Sequence, residues 1–266
     1  MTAIYWGRDG AAAAALAEHA DGVQRWPGIP DPPARPIRLI LASSRERFDS
    51  LTAGRVPEWG AAAAFPGAQT VVLRLAGDSR RVLRHELAHL ALNDVVRRAP
   101  RWFDEGYAVR AAGEWDRLDA LRVNWIVLRG RTPTLPQIDR YLRDRTAGNA
   151  EAAYALAGTA VLYLERMGGD RGLGPLIAAL GETADFDRAL RTTYGISLGQ
   201  FEDLWTKDLR NRYGWLLLIG SFSAFWSVAG ALLVVLWVWR RRRDRGRRAA
   251  LDEGWVVHQD PWDTSA

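Results

Sequence analysis

Strand-forming runs stop early in this chain of 266 residues. "IRLILAS" (37–43) and "TVVLRLA" (70–76) are apolar, partly β-branched and bounded by turn formers, so both read as strands. From Trp115 onward the pattern is helical throughout, over about 115–129, 136–145, 150–167, 173–180, 184–193 and 198–211. A sheet confined to the first third must be small, and helices must supply most of the core. The expected class is therefore α+β.

The first third adds four helices around those strands. Residues 10–20 are alanine-rich, and Ser44–Leu51 reads as a short helix. The five prolines of "WPGIPDPPARP" keep 26–36 out of helix, and "GRVPEWGAAAAFPGAQ" (54–69) reads as irregular. Asp78 or Ser79 can cap a helix over 80–92. Pro100 can open the next one, 101–112, which closes near Gly113.

A second constraint lies near the end. "WLLLIGSFSAFWSVAGALLVVLWVW", Trp215 to Trp239, contains no charged residue and as a helix reaches about 37 Å, enough for a bilayer core of roughly 30 Å. It reads as one transmembrane helix, with indoles at both ends. Seven arginines between Arg240 and Arg248 follow at once. The positive-inside bias then places the tail, 240–266, in the cytoplasm and the preceding domain outside, as a single-pass protein of the cell membrane. The N-terminus has neither the basic region nor the apolar core of a signal peptide. An upstream start, an unusual export route and retention in the cytoplasm all stay open, and the outer side is favoured. Ser223, Ser227 and Ala231 form a small-residue stripe on which a homodimer can pack. The expected boundaries are 1–113, 114–214, 215–239 and 240–266.

The net charge of +5 is mixed with acids before the tail, which argues against a nucleic-acid partner. There is no cysteine, so any metal must be held by His, Asp or Glu.

"RVLRHELAHLAL" (81–92) offers such ligands. His85 and His89 lie four apart on one helix face, and Glu86 is about 100° round, close enough to reach a water but not to bind the ion. His-Glu-x-x-His on a helix is a zinc-protease motif in which the glutamate is general base. By composition alone its chance occurrence here is on the order of 1 in 400. His19 and His258 show no ligand spacing and read as surface residues. Hydrolytic zinc takes three protein ligands and keeps a fourth position open. Without cysteine or another histidine, the third must be a carboxylate, and "PRWFDEGYAVR" supplies Glu105 on the next helix. Trp102 and Phe103 can bury that helix against the first one. Asp104 points about 100° away from Glu105 and is placed to hold a histidine N–H from behind.

"HELAH" followed by "RWFDEGYA" resembles the gluzincin metallopeptidases, more narrowly the thermolysin-like, peptidase MA-like group. The match is tight over 81–113 and loose over 37–212. The resemblance implies a zincin-like fold: a small sheet with a zinc helix, then an all-helical C-terminal subdomain. It implies one Zn2+ on His85, His89 and Glu105, with Glu86 as base. Relatives stabilise the oxyanion with a downstream tyrosine or histidine, for which Tyr154 is the candidate ahead of Tyr163 and Tyr107. The related aminopeptidases carry Gly-x-Met-Glu-Asn before the zinc helix. The comparable stretch here, "WGAAAAFPGAQTVVLRL", has no acid, and Thr70–Ala76 is the candidate edge for an extended peptide. The expected activity is a membrane-anchored zinc endopeptidase acting on peptides or proteins. Two rivals are a non-catalytic zinc-holding domain that binds a cell-envelope partner, and a membrane-anchored structural protein without metal.

Overall fold

A computed structural model describes residues 1–253, apart from 23–24, 31–34, 55, 58–59, 76, 115–116, 131, 144–146 and 214; of 117–118, 147–149, 215–224 and 245–253 it describes the backbone alone. The chain divides into two compact units, Met1–Gly214 and Trp215–Ala266.

The first unit holds one four-stranded sheet. Strands β1 (Thr2–Ile4), β2 (Arg38–Ala42), β3 (Ala62–Phe65) and β4 (Thr70–Arg74) lie in the order β1-β2-β4-β3. The first three in that order run parallel, with Ala3 beside Leu39 and Leu39 beside Val71. β3 closes the row antiparallel, with Ala64 opposite Val71. Two sequence expectations change here. The stretch read as irregular contains a strand, and the edge beside the cleft is β3 rather than Thr70–Arg74, which is interior; Ala76 lies outside the described residues. Alanines carry little strand preference of their own, so pairing with the β-branched, buried β4 decides.

Helix α1 (Gly10–Gly22) and α3 (Ser79–Val95) pack on the sheet, while α2 (Arg45–Thr52) packs through Phe48 on a patch made by Ala42 and Val72. The helical part follows as α4 (Arg101–Ala112), α5 (Arg117–Leu128), α6 (Leu135–Arg143), α7 (Ala147–Met167), α8 (Gly174–Thr183), α9 (Phe186–Tyr194) and α10 (Leu198–Tyr213).

α3 is the seam between the two cores. Asp78 caps it, accepting the Arg81 N–H at 3.2 Å, a bond worth about 1 kcal/mol. Leu83, Leu87 and Leu90 enter the sheet-side core, and Ala88 and Leu92 enter the helical core. At about 100° per residue these positions leave one stripe uncommitted, the stripe that carries His85, Glu86 and His89.

A second seam lies at Trp26–Ile29, a tight turn closed by the Ile29 N–H on the Trp26 carbonyl at 3.1 Å. Ile29 is buried in the helical core, although α1 before it and β2 after it belong to the sheet side, and Trp26 packs on both. Gly28 has φ +75°, and a Cβ there would stand 2.8 Å from the Gly174 nitrogen at the start of α8. Only glycine satisfies both the dihedral and the approach.

The second unit is described by one helix, α11 (Trp215–Glu253). Among the described residues no helix is long and apolar enough to cross a membrane. The expected transmembrane helix 215–239 is thus corrected. The single-pass membrane placement with an outer domain and cytoplasmic tail falls with it, and so does a bilayer setting for the Ser223–Ser227–Ala231 stripe. Residues 254–266, His258 among them, lie outside the described residues.

Candidate metal centre

α3 brings His85 and His89 to a cleft of about 1060 Å³, walled on one side by residues 60–68 and on the other by α4, α5 and α7. Their rings stand edge-on with centroids 4.9 Å apart.

α4 supplies the third group. Pro100 opens this helix without a side-chain cap of its own, and Asp139 from α6 accepts the Trp102 N–H at 2.6 Å instead. Trp102 is buried between Phe186 and Phe201, at 5.1 and 5.9 Å, and Phe103 packs on Phe186 at 5.1 Å. This anchorage turns Glu105 toward α3. Its Oε2 lies 3.5 Å from His85 Nε2 and 3.4 Å from His89 Nε2. One ligand atom from each of the three residues lies within 4.8 Å of the others. Gly106 explains how α7 joins in: a Cβ there would meet the Ala157 carbonyl oxygen at 2.4 Å. The missing side chain lets α7 lie against α4, and one turn before Ala157 the same helix sets Tyr154 with its ring 6.3 Å from that of His85.

Each histidine is held from behind. His85 Nδ1 contacts Glu114 Oε2 at 3.0 Å and His89 Nδ1 contacts Asp104 Oδ1 at 2.9 Å. An ionised carboxylate only accepts, so each Nδ1 donates, and a ring that gave up its other proton to an ion would turn the lone pair of Nε2 into the site. Two imidazole nitrogens and one carboxylate oxygen suit zinc, and the residues fit such an ion.

The electrostatics show the same demand for positive charge. Burial works against a charged His85, but hydrogen bonds to Glu105 and Glu114 outweigh it and raise its pKa to about 10. Burial also opposes charge on His89, and Asp104 and Glu105 prevail to raise it. Burial favours a neutral Glu105, yet bonds from both histidines hold its carboxyl well below the usual range. Glu86 is raised, chiefly by burial, against the pull of the histidines and a hydrogen bond from the Ala64 backbone. Burial, and then Glu105, raise Tyr154.

The other two tyrosines stand elsewhere. Tyr107 is fully buried, with its hydroxyl unpartnered among the described residues and its pKa raised by burial, and Tyr163 packs tilted on Phe201 in the helical core. Two partners were missed in the sequence. Glu114 lies just beyond Gly113, which ends α4, where no helical spacing points to it. Arg101 reaches Glu105 Oε1 at 3.3 Å from the first turn of α4, a contact that no motif in the sequence announces.

The sequence matches the Peptidase MA superfamily over residues 32–211. The chain belongs to the Peptidase MA superfamily. The matched stretch runs from just before β2 to α10, so it contains every residue of the centre and leaves out β1, α1 and α11. No curated protein matches the chain. Membership makes this Peptidase MA chain a peptidase-type hydrolase at the coarse level, with a His-His-Glu group that could hold a metal ion and a peptide or protein as substrate.

Proposed function

We propose that the chain is a zinc-dependent endopeptidase of the gluzincin, thermolysin-like kind. The observation that carries this reading is the convergence of His85 Nε2 and His89 Nε2 on one oxygen of Glu105, with Glu86 beside them in an open cleft. A zinc ion held by those three residues would make a water acidic enough to attack at neutral pH and would polarise a carbonyl oxygen.

The chain's own groups do the rest. Glu86 takes the proton of the attacking water and returns it to the leaving amine. Tyr154 donates its hydroxyl proton as a hydrogen bond to the developing oxyanion. Asp104 and Glu114 keep the imidazoles oriented. On this reading residues 1–113 carry the metal motif, and 114–214 complete it with Glu114 and Tyr154.

β3 receives the substrate. The Arg74 N–H bonds the Ala61 carbonyl at 2.8 Å, so by alternation the backbone groups of Ala62 and Ala64 face away from β4; the Ala64 N–H is taken by Glu86, which leaves the Ala62 groups and the Ala64 carbonyl for a substrate. An extended peptide can add there as a further strand. Among the described residues 60–68 no side chain is charged, so none of these waits for a free amino terminus, which favours internal cleavage.

Glu86→Gln in the zinc-loaded full chain is the test. Equimolar zinc should remain by atomic absorption, while cleavage of a peptide mixture falls by about 100-fold or more. Undiminished cleavage would sink the assignment.

A further inference from the structure

The two oxygens of Glu105 have different neighbours. Oε2 faces both histidine Nε2 atoms, whereas Oε1 is held by Arg101 at 3.3 Å. The arginine starts at the first residue of α4, is about half exposed, and lines the cleft.

Helix stability does not account for it. A cation in the first turn faces the positive end of the helix dipole. The pair also runs from arginine to glutamate, the weaker direction for four-residue spacing, and an exposed pair contributes little in any case. What the contact does is geometric: it engages one oxygen of a planar carboxylate with a cation while the other faces both histidines. A glutamate with both oxygens free can close on an ion with two bonds and fill the position that a hydrolytic centre has to keep open.

We propose that Arg101 is a positioning residue of the centre, holding Oε1 so that Glu105 meets the ion through Oε2 alone and one position stays exchangeable. The proposal rests on the metal site of the peptidase reading and deepens it.

Cobalt(II) is the probe, because its visible absorption is strong in a four-coordinate site and weakens as further oxygens join. The full chain is stripped with a chelator, reloaded with cobalt(II), and compared with R101M and R101K. R101M should bind one equivalent, with a weakened and shifted band, and its hydrolysis in the zinc form should fall by about 10-fold. R101K keeps the charge and should keep both the original band and most of the activity. The original band in cobalt-loaded R101M, loss of cobalt uptake by R101M, or a weakened band in R101K overturns the proposal. If the unaltered chain takes up no cobalt, the metal site and this proposal fail together. If it loads but cleaves nothing, the peptidase reading fails while the spectra still decide the role of Arg101.

Discussion

The two walls of the cleft are built from opposite materials. The helical wall, α3 with α4 and α7, places charged side chains in fixed pairs: His85 with Glu114, His89 with Asp104, Glu105 with Arg101. The strand wall, residues 60–68, brings alanine, glycine, proline and a phenylalanine, and its polar groups are backbone. Chemistry that depends on distance and charge sits on the rigid helices. On the proposed reading, grip on a chain of variable sequence is left to a strand edge, which makes the same bonds whatever side chains the substrate has. Substitutions on the first wall should therefore change kcat or metal content, and those on the second should change KM.

The sharpest way to break this division after Glu86 is Tyr154→Phe, which removes one hydroxyl from the helical wall. We expect kcat to fall by about 100-fold with KM little changed, read from steady-state kinetics on a single peptide. A change confined to KM would move Tyr154 to the gripping side. Gly106→Ala tests what holds the helical wall together. The added methyl meets the Ala157 carbonyl, and overpacking of this kind costs about 2 kcal/mol, or roughly 30-fold in the folding equilibrium, measured by urea unfolding. Glu114→Gln keeps the shape and removes the charge behind His85, so zinc affinity in a chelator competition should weaken by about 10-fold. The smallest effect belongs to the strand wall. Ala62→Pro removes an outward N–H without touching the bonds to β4, and KM should rise about fivefold with kcat nearly constant. Equal losses in kcat and KM there would erase the contrast between the walls.

The helical wall was the more legible of the two in the sequence. The spacing of His85 and His89, the Asp78 cap, and the Pro100 and Gly113 bounds of α4 are local signals, and the chain folds α3 and α4 over Ser79–Val95 and Arg101–Ala112. Asp104 was placed behind a histidine from helical geometry, and it stands 2.9 Å from His89. The strand wall was not legible. Ala62–Ala64 have little strand preference of their own and form a strand because β4 pairs with them, so the sequence points to Thr70–Ala76 as the edge instead. Glu114 lies past a helix end, where periodicity carries no information. The run 215–239 shows the opposite failure. Its lack of charge reads strongly as a bilayer span, yet no described helix qualifies.

The turn at Trp26–Ile29 has a consequence for what can enter. Ile29 is inserted into the helical core from a loop whose flanking elements belong to the sheet, and Gly28 seats it against the start of α8. The sheet side and the helical side are thereby stitched at a point distant in sequence from the α3–α4 connection, so neither can swing away from the other about that connection alone. On the proposed peptidase reading, a groove stitched in this way would admit a strand of polypeptide that is already unwound, and local unfolding of the target would set the pace at which a folded protein is cut.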